Sequence, residues 1–158
     1  MKRIAFALLL LLLTASCEEK MILDESTTTK IVYNFHDSSV PPEYHRSYEI
    51  TMTPTAVGIV VDSYGDILHE KEYPISSEEF SSFIGFVNAS DITACKPAEP
   101  EPCSGGTSEG LEIFTDKKIV DIYLDHCGPS EFPKNCGEIE AVIARLESYI
   151  TDLSDLLR

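Results

Sequence analysis

Two kinds of hydrophobic periodicity alternate along the chain. Apolar residues first recur at every second position, which is typical of strands with one buried face. Four early segments show this pattern: Lys30 to His36, Tyr48 to Thr53, Ala56 to Asp62 and Ile67 to Tyr73. Two later segments, 111–113 and 119–124, repeat it on either side of a turn at 116–118. The pattern therefore predicts six strands, with one hairpin turning at 63–66 and another at 116–118.

A helical period appears in two other segments. Ser76 and Glu79 have the spacing of a capping box, in which each side chain bonds the other residue's backbone amide. A helix is therefore predicted from Ser76 to about Asn88. The last segment has the strongest helical period in the chain, extending over about five turns. Its apolar positions are Ile139, Val142, Ile143, Leu146, Tyr149, Ile150, Leu153, Leu156 and Leu157.

These elements predict an α+β fold in the order ββββαββα. Strands joined by short turns pair as antiparallel neighbours, so we expect a mainly antiparallel sheet of about six strands. The two amphipathic helices need an apolar surface on which to bury their apolar faces. The sheet is the only large surface available, and we therefore expect both helices to pack on one of its faces.

The first residues differ from everything that follows. Lys2 and Arg3 precede a wholly apolar run from Ile4 to Leu13, and small residues then lead to Cys17. The run is about half as long as a membrane-spanning helix, and this layout is typical of a secretory signal that is cut away. The sequence therefore predicts export.

The end of this leader resembles the signal of bacterial lipoproteins. In that family the residue after the cut is a cysteine that becomes acylated on its sulfur, and Ala15, Ser16 and Cys17 fit the pattern. The resemblance implies a fatty acyl chain such as palmitate on Cys17. It also implies a lipid-anchored protein of the bacterial cell envelope, either periplasmic or surface-exposed.

Three parts of the chain follow from this interpretation. Residues 1–16 form the signal peptide, and residues 17–29 form the lipidated cysteine and a flexible, polar tether. Residues 30–158 form a single globular α+β domain. The mature chain keeps 142 of the 158 residues, which suits one domain with a substantial core.

The mature chain is strongly acidic. Removal of residues 1–16 takes away Lys2 and Arg3 but no acidic residue, leaving 10 basic and 27 acidic residues and a net charge of −17. Such a surface repels nucleic-acid phosphates, and no cluster of Lys and Arg offsets it. The charge excludes nucleic acid as a partner and favours a soluble body held at the membrane by its lipid. We expect a monomer.

Four cysteines remain after Cys17 is assigned to the lipid: Cys95, Cys103, Cys127 and Cys136. An even number in an exported chain predicts disulfides, with three possible connectivities. We favour the pairs Cys95–Cys103 and Cys127–Cys136, because each brackets a short loop that contains proline. A zinc site is the alternative, but the C-x-x-C spacing of structural zinc ligands is absent.

The segment HDSSVPPEYHRSY, residues 36–48, concentrates the chain's candidate chemistry. It carries residue types that favour recognition on a loop stiffened by two prolines. The candidate recognition surface consists of His36, Asp37, Ser38, Glu43, Tyr44, His45 and Arg46. A purely structural loop, held by turn hydrogen bonds of Asp37 and the serines, explains the same residue types.

Two kinds of chemistry are weaker alternatives for this segment. His36 or His45 would act as a general base for Ser38 or Ser39 in a small hydrolase, with Asp37 or Glu43 orienting the histidine. No G-x-S-x-G motif surrounds either serine. The histidines are scattered without a metal-binding pair, and the acidic residues of the 62–70 hairpin lack the ligand density of a calcium loop. We therefore predict no catalytic residues, no metal and no cofactor.

The function that these features favour is that of an exported, lipid-anchored, non-enzymatic cell-envelope protein. It would act as a binding or recognition module for a protein or small molecule that the sequence does not identify. One alternative is an inhibitor of an extracellular enzyme, with the rigid loop entering the active site. The other is the small hydrolase using His36 or His45.

Overall fold

The computed structural model describes residues 21–93, 105–126 and 136–158. The strands are β1 (Lys30–His36), β2 (Ser47–Met52), β3 (Ala56–Ser63), β4 (Asp66–Pro74), β5 (Thr107–Phe114) and β6 (Lys118–His126). The helices are α1 (Ser77–Ala89), α2 (Ile139–Glu147) and α3 (Leu153–Leu156). The described elements include a helix, α3, beyond those of the predicted order ββββαββα.

All six strands form one sheet in the order β4-β3-β2-β1-β5-β6, and every neighbouring pair is antiparallel. The first four strands run back and forth in chain order, and the β5–β6 hairpin then joins the free side of β1. This arrangement confirms the α+β class and the six-stranded antiparallel sheet.

Strand register explains how the core forms. Ile31 of β1 lies opposite Met52 of β2 and Ile113 of β5, and Met52 lies opposite Val57 of β3. Facing residues of adjacent strands share one face, so these side chains form a continuous apolar row. The residues of this row are fully buried and belong to one hydrophobic cluster that also includes Phe83 of α1.

The start of α1 confirms the predicted capping box. The Ser76 hydroxyl accepts from the Glu79 amide at 3.2 Å, and the Glu79 carboxylate accepts from the Ser76 amide at 2.8 Å. Both bonds satisfy amides that a helix start leaves without intrahelical partners. The buried face of α1 consists of Phe80, Phe83, Ile84 and Val87, as its apolar spacing predicts.

The final periodic segment is two helices rather than one. α2 ends at Glu147, and a turn precedes α3. Asp152 in this turn accepts a bond from the Tyr73 hydroxyl and pairs with Lys71 of β4 at 2.6 Å. The break therefore lets Asp152 reach the edge strand, while Ile150 stays buried. Apolar spacing predicted the burial of this segment but not its interruption.

Residues 21–29 belong to the folded body, which differs from the flexible tether predicted for 17–29. Leu23 is only 4% exposed and joins the core cluster. The Asn88 side chain accepts from the Leu23 amide at 2.7 Å and donates to the Leu23 carbonyl at 3.0 Å. This pair of bonds ties the N-terminal segment to the end of α1.

Within the described ranges, no helix is long and apolar enough to cross a membrane. The predicted signal peptide and Cys17 lie outside the residues that the structure describes.

Candidate functional site

The candidate loop, residues 37–46, connects β1 to β2 at one end of the sheet. Antiparallel pairing brings the β3–β4 turn, the start of β5 and the end of β6 to this same end. We call it the loop end. It gathers three connections of the sheet around the segment that the sequence favoured as a recognition surface.

A single carboxylate ties together the two ends of the loop. Asp37 accepts from the Ser38 amide at 2.7 Å with one oxygen, and from the Arg46 amide at 2.9 Å with the other. The Asp37 amide donates to the Ser47 hydroxyl at 3.0 Å. Hydrogen bonds from backbone amides to an ionised carboxylate are among the stronger ones in proteins. Asp37 therefore fixes the width of the loop mouth.

The β3–β4 turn beside the loop has an unusual residue. Tyr64 and Gly65 are its two central positions, and both have positive φ, at 54° and 92°. Glycine adopts this conformation freely, whereas a residue with a bulky side chain pays of order 1 kcal/mol. Asparagine is the residue that this turn type usually prefers at the first position. The presence of Tyr64 therefore requires compensating contacts.

Those contacts are made with the candidate loop. The Tyr64 hydroxyl donates to the Val40 carbonyl at 2.6 Å, and its ring stacks on the His45 ring with centroids 3.9 Å apart. The neighbouring Ser63 hydroxyl donates to the Pro42 carbonyl at 2.8 Å. We call this set of contacts the Tyr64 clamp. Together with Asp37, it gives the loop a defined shape.

The loop's candidate residues divide into exposed and buried sets. Tyr44 is 70% exposed, and Glu43 beside it is exposed as well. His45 is only 5% exposed, so its ring supports the loop from beneath rather than facing a partner. His36 is exposed at the end of β1. The surface available to a partner therefore centres on Glu43 and Tyr44.

Arg46 is also used within the fold. Its guanidinium donates to the His45 carbonyl and to the Arg158 carbonyl, each at 2.7 Å. Its Nε is buried and makes no hydrogen bond with the described residues, and the same holds for Nδ1 of His45. Arg46 therefore links the loop to the C-terminal residue instead of offering its charge to a ligand.

A polar chain lies at the loop end. Tyr33 donates to one oxygen of Glu109 at 2.8 Å, and Nε2 of His126 lies 2.6 Å from the other oxygen. Tyr48 donates to Glu147 of α2 at 2.8 Å, and its ring meets the Tyr33 ring edge-on at 5.8 Å. This polar chain of side chains therefore connects four strands and one helix.

Burial sets the protonation of the two tyrosines. It raises the pKa of Tyr33 well above the ordinary value, and the nearby Tyr48 and Glu109 raise it further. Burial likewise raises the pKa of Tyr48, and the charge of Glu147 adds to the shift. Both phenols therefore stay protonated and act as hydrogen-bond donors to carboxylates.

Sequence reasoning missed Tyr33, Glu109 and Glu147. One available signal was the position of Glu109, which is in phase with Leu111 and Ile113 on the buried face of β5. A carboxylate at such a position needs hydrogen-bonding partners, because burying an unpaired charge is costly. Tyr33 and His126 are those partners, on the two flanking strands.

The described contacts do not assemble a hydrolase triad. Both oxygens of Asp37 bond to backbone amides, and the Ser38 hydroxyl points to Asp37 at 3.4 Å rather than to a histidine. His45 approaches Ser47 at 3.4 Å through Nε2. Asp37, one of the two acids predicted to orient a histidine, therefore shapes the loop instead.

The predicted disulfides involve cysteines that lie largely outside the residues the structure describes. In the ranges that the structure describes, no group of three or more His, Cys, Asp or Glu side chains has the arrangement of a metal site. Cys95, Cys103 and Cys127 lie outside these ranges. Cys136 is described and is fully buried.

No protein-family model matches this chain, and no curated protein matches it either. Functional inference therefore rests on the fold and on the geometry of the loop end.

Proposed function

We propose that this chain is an exported, lipid-anchored, non-enzymatic protein of the bacterial cell envelope, and that its loop 37–46 recognises a partner. The observation that carries the proposal is the fixed shape of a highly exposed loop. Asp37 and the Tyr64 clamp determine its backbone, while Tyr44 projects into solvent. Export and lipidation rest on the leader and on Ala15 to Cys17.

A loop of this kind suits binding for a physical reason. Ordering a flexible segment on binding costs about 0.5–1.5 kcal/mol for each immobilised side chain, and a preformed loop avoids much of that cost. Tyrosine supplies a large contact area with few rotatable bonds and is enriched among the residues that dominate binding energy. Tyr44 is therefore the expected anchor, with Glu43 as its charged neighbour.

The arrangement of the helices bears on which surfaces are free. We infer that α1 and α2 both cover the face of the sheet that carries Ile31 and Ile50. Support comes from the shared hydrophobic cluster, which includes Phe83 and Leu146 of the helices, and from the bond between Tyr48 and α2. The loop end then lies beside the packed layers, where a partner can approach it.

Site-specific photo-cross-linking tests recognition by the loop. A photoreactive phenylalanine analogue replaces Tyr44 in the full-length protein within producing cells. The matched control replaces Tyr123, which is an exposed tyrosine on β6. We expect a discrete adduct from position 44 and little from position 123. Adducts of equal yield at both positions, or none at position 44, would refute recognition by the loop.

The anchor has its own test. Mass spectrometry of the native protein should show acyl chains on Cys17, and the Cys17→Ala form should be released from the membrane fraction. Retention of the Cys17→Ala form in the membrane would contradict the lipoprotein interpretation. This result would leave the loop experiment unaffected.

We also propose that the four cysteines form two disulfides. The sequence favours Cys95–Cys103 and Cys127–Cys136. A described contact supports a competing pair, because the Thr93 amide donates to the Cys136 carbonyl at 3.2 Å. Two residues of extended chain span about 7 Å, so Cys95 is within reach of Cys136. Non-reducing peptide mapping distinguishes these pairs, and free thiols at all four positions would overturn both.

An inhibitor of an extracellular enzyme is the second candidate, because a rigid exposed loop is also what such an inhibitor needs. Mixing the protein with a panel of secreted hydrolases tests it, and unchanged rates throughout would count against it.

The hydrolase alternative has less support, since both carboxylate oxygens of Asp37 accept hydrogen bonds from backbone amides. Any turnover on an ester or peptide panel that persists in both His36→Ala and His45→Ala variants would remove that alternative.

A further inference from the structure

A second concave surface lies away from the loop end. It is a groove of about 580 Å³ between the end of β4, the first turns of α1 and the end of α2. Pro74 and Ile75 form part of an apolar wall, and the rings of Tyr73 and Tyr149 also line it. Grooves of this size accommodate small organic molecules. Sequence reasoning did not predict this site, because its walls come from three separate elements.

The groove contains an arginine that has no carboxylate partner among the described residues. The Arg145 guanidinium lies over the Tyr149 ring, 5.9 Å from its centroid. The Tyr149 ring is itself braced edge-on against buried Phe83, with centroids 6.1 Å apart. Within the described part of the chain, Arg145 makes no ion pair and its guanidinium makes no hydrogen bond. Its donors are therefore available to an external acceptor.

Other cations of this acidic chain are used differently. Lys71 pairs with Asp152, Lys118 with Glu112, and Arg158 with Asp155. Arg145 differs from these three cations, because no carboxylate among the described residues pairs with it. A carboxylate is the chemical group that best matches the planar guanidinium fork.

The two acids that line the groove are oriented toward the start of α1. The Glu79 carboxylate accepts from the Ser76 amide in the capping box. A backbone hydrogen bond at the helix start lowers the pKa of Glu78, and the hydroxyls of Ser76 and Ser77 lower it further. Glu78 is therefore ionised at neutral pH. The groove consequently offers a positive charge at its α2 side and a negative charge at its α1 side.

We propose that this groove binds a small zwitterion: a free amino acid or dipeptide with an aromatic or branched apolar side chain. Its carboxylate would bond to Arg145, and its ammonium group would face Glu78. Its side chain would contact Tyr149 and the wall formed by Pro74 and Ile75. The proposal does not depend on recognition by the loop.

Titration of the intact protein with L-phenylalanine, L-leucine and the dipeptide Leu-Phe tests this site, with calorimetry and tyrosine NMR signals as readouts. We expect saturable binding of at least one of them. For whichever binds, the analogue without the carboxylate and the analogue without the ammonium should each bind at least about tenfold more weakly. Analogues that bind as tightly as the parent compound, or no saturation by any probe up to about 10 mM, would overturn the proposal.

Variants of two exposed arginines complete the test. Arg145→Gln should weaken binding at least about tenfold, whereas Arg158→Gln, which changes the net charge equally, should leave it unchanged. Both variants should retain the wild-type melting temperature, because neither side chain belongs to the core. Equal weakening by the two variants would indicate a general charge effect and would contradict the assignment to the groove.

Discussion

The loop 37–46 and the Arg145 groove use similar residue types for opposite purposes. In the loop, the Asp37 carboxylate accepts hydrogen bonds from backbone amides, and the Arg46 guanidinium donates to backbone carbonyls. In the groove, the Arg145 guanidinium lies over the Tyr149 ring and makes no hydrogen bond with the described residues. A cluster of charged and aromatic residues in a sequence therefore does not tell which side chains form internal hydrogen bonds and which are available to a ligand.

This difference implies that substitutions in the loop and in the groove should have different effects on stability and binding. Substitutions of the polar ties should loosen the loop, whereas the groove should depend on the packing of its helices. Exposed groups, Tyr44 and Arg145, should affect binding without affecting stability.

The largest effect is expected where α2 begins. Gly137 has φ of 91°, and a Cβ at this position would lie 2.5 Å from the Asp91 carbonyl oxygen. Gly137→Ala should therefore cost about 2–4 kcal/mol of unfolding free energy, because both backbone strain and a backbone clash result. Urea denaturation measures the loss, which should also displace α2 and disturb the groove.

Gly85→Ala is the matched control for this substitution. Gly85 lies in α1, where an added Cβ meets nothing within 4 Å. Alanine is the better helix former by about 0.5–1 kcal/mol, so this variant should be more stable than the wild type. A similar loss in both glycine variants would contradict the role assigned to the contact between Gly137 and Asp91.

The next effect concerns Asp37. Asp37→Ala removes the acceptor for the Ser38 and Arg46 amides, and we expect a loss of about 1–3 kcal/mol. Asp37→Asn keeps one side-chain oxygen and should lose less. Thermal unfolding of both variants checks the order. An Asp37→Ala variant as stable as the wild type would show that the carboxylate does not hold the loop.

Tyr64→Asn should change global stability by less than about 1 kcal/mol. Asparagine suits the positive φ of this turn, which offsets the loss of the contacts to Val40 and His45. The loop should nevertheless become more mobile, and backbone NMR relaxation of residues 38–45 measures this. Unchanged relaxation would mean that the Tyr64 clamp is not needed to order the loop.

The prediction with the smallest expected effect concerns the polar chain, whose contribution to stability changes only at high pH. The raised pKa values of Tyr33 and Tyr48 mean that the folded state keeps two protons that the unfolded state releases above about pH 10. Their contribution to stability is therefore fully present below that pH and is lost as pH rises above it. Tyrosinate absorbance should show these two phenols ionising only with unfolding, and early ionisation of all seven tyrosines would contradict their burial.

Strand alternation in the sequence predicted the sheet well, because each strand of the meander pairs with its neighbour in the chain. The pairing of β1 with β5 could not be read in this way, since it joins residues about 80 positions apart. The break before Asp152 was missed because apolar spacing reports burial rather than continuity. The polar chain was missed because Glu109, Tyr33 and His126 meet only across three strands.

Hydrogen exchange of the loop amides tests the central claim, that loop 37–46 has its defined shape in the free protein. In the free protein, the amides of Ser38 and Arg46 should exchange much more slowly than unstructured peptide, and Asp37→Ala should abolish this protection while the amides of β1 and β2 stay protected. Exchange of the wild-type loop amides at the rate of an unstructured peptide would contradict the account.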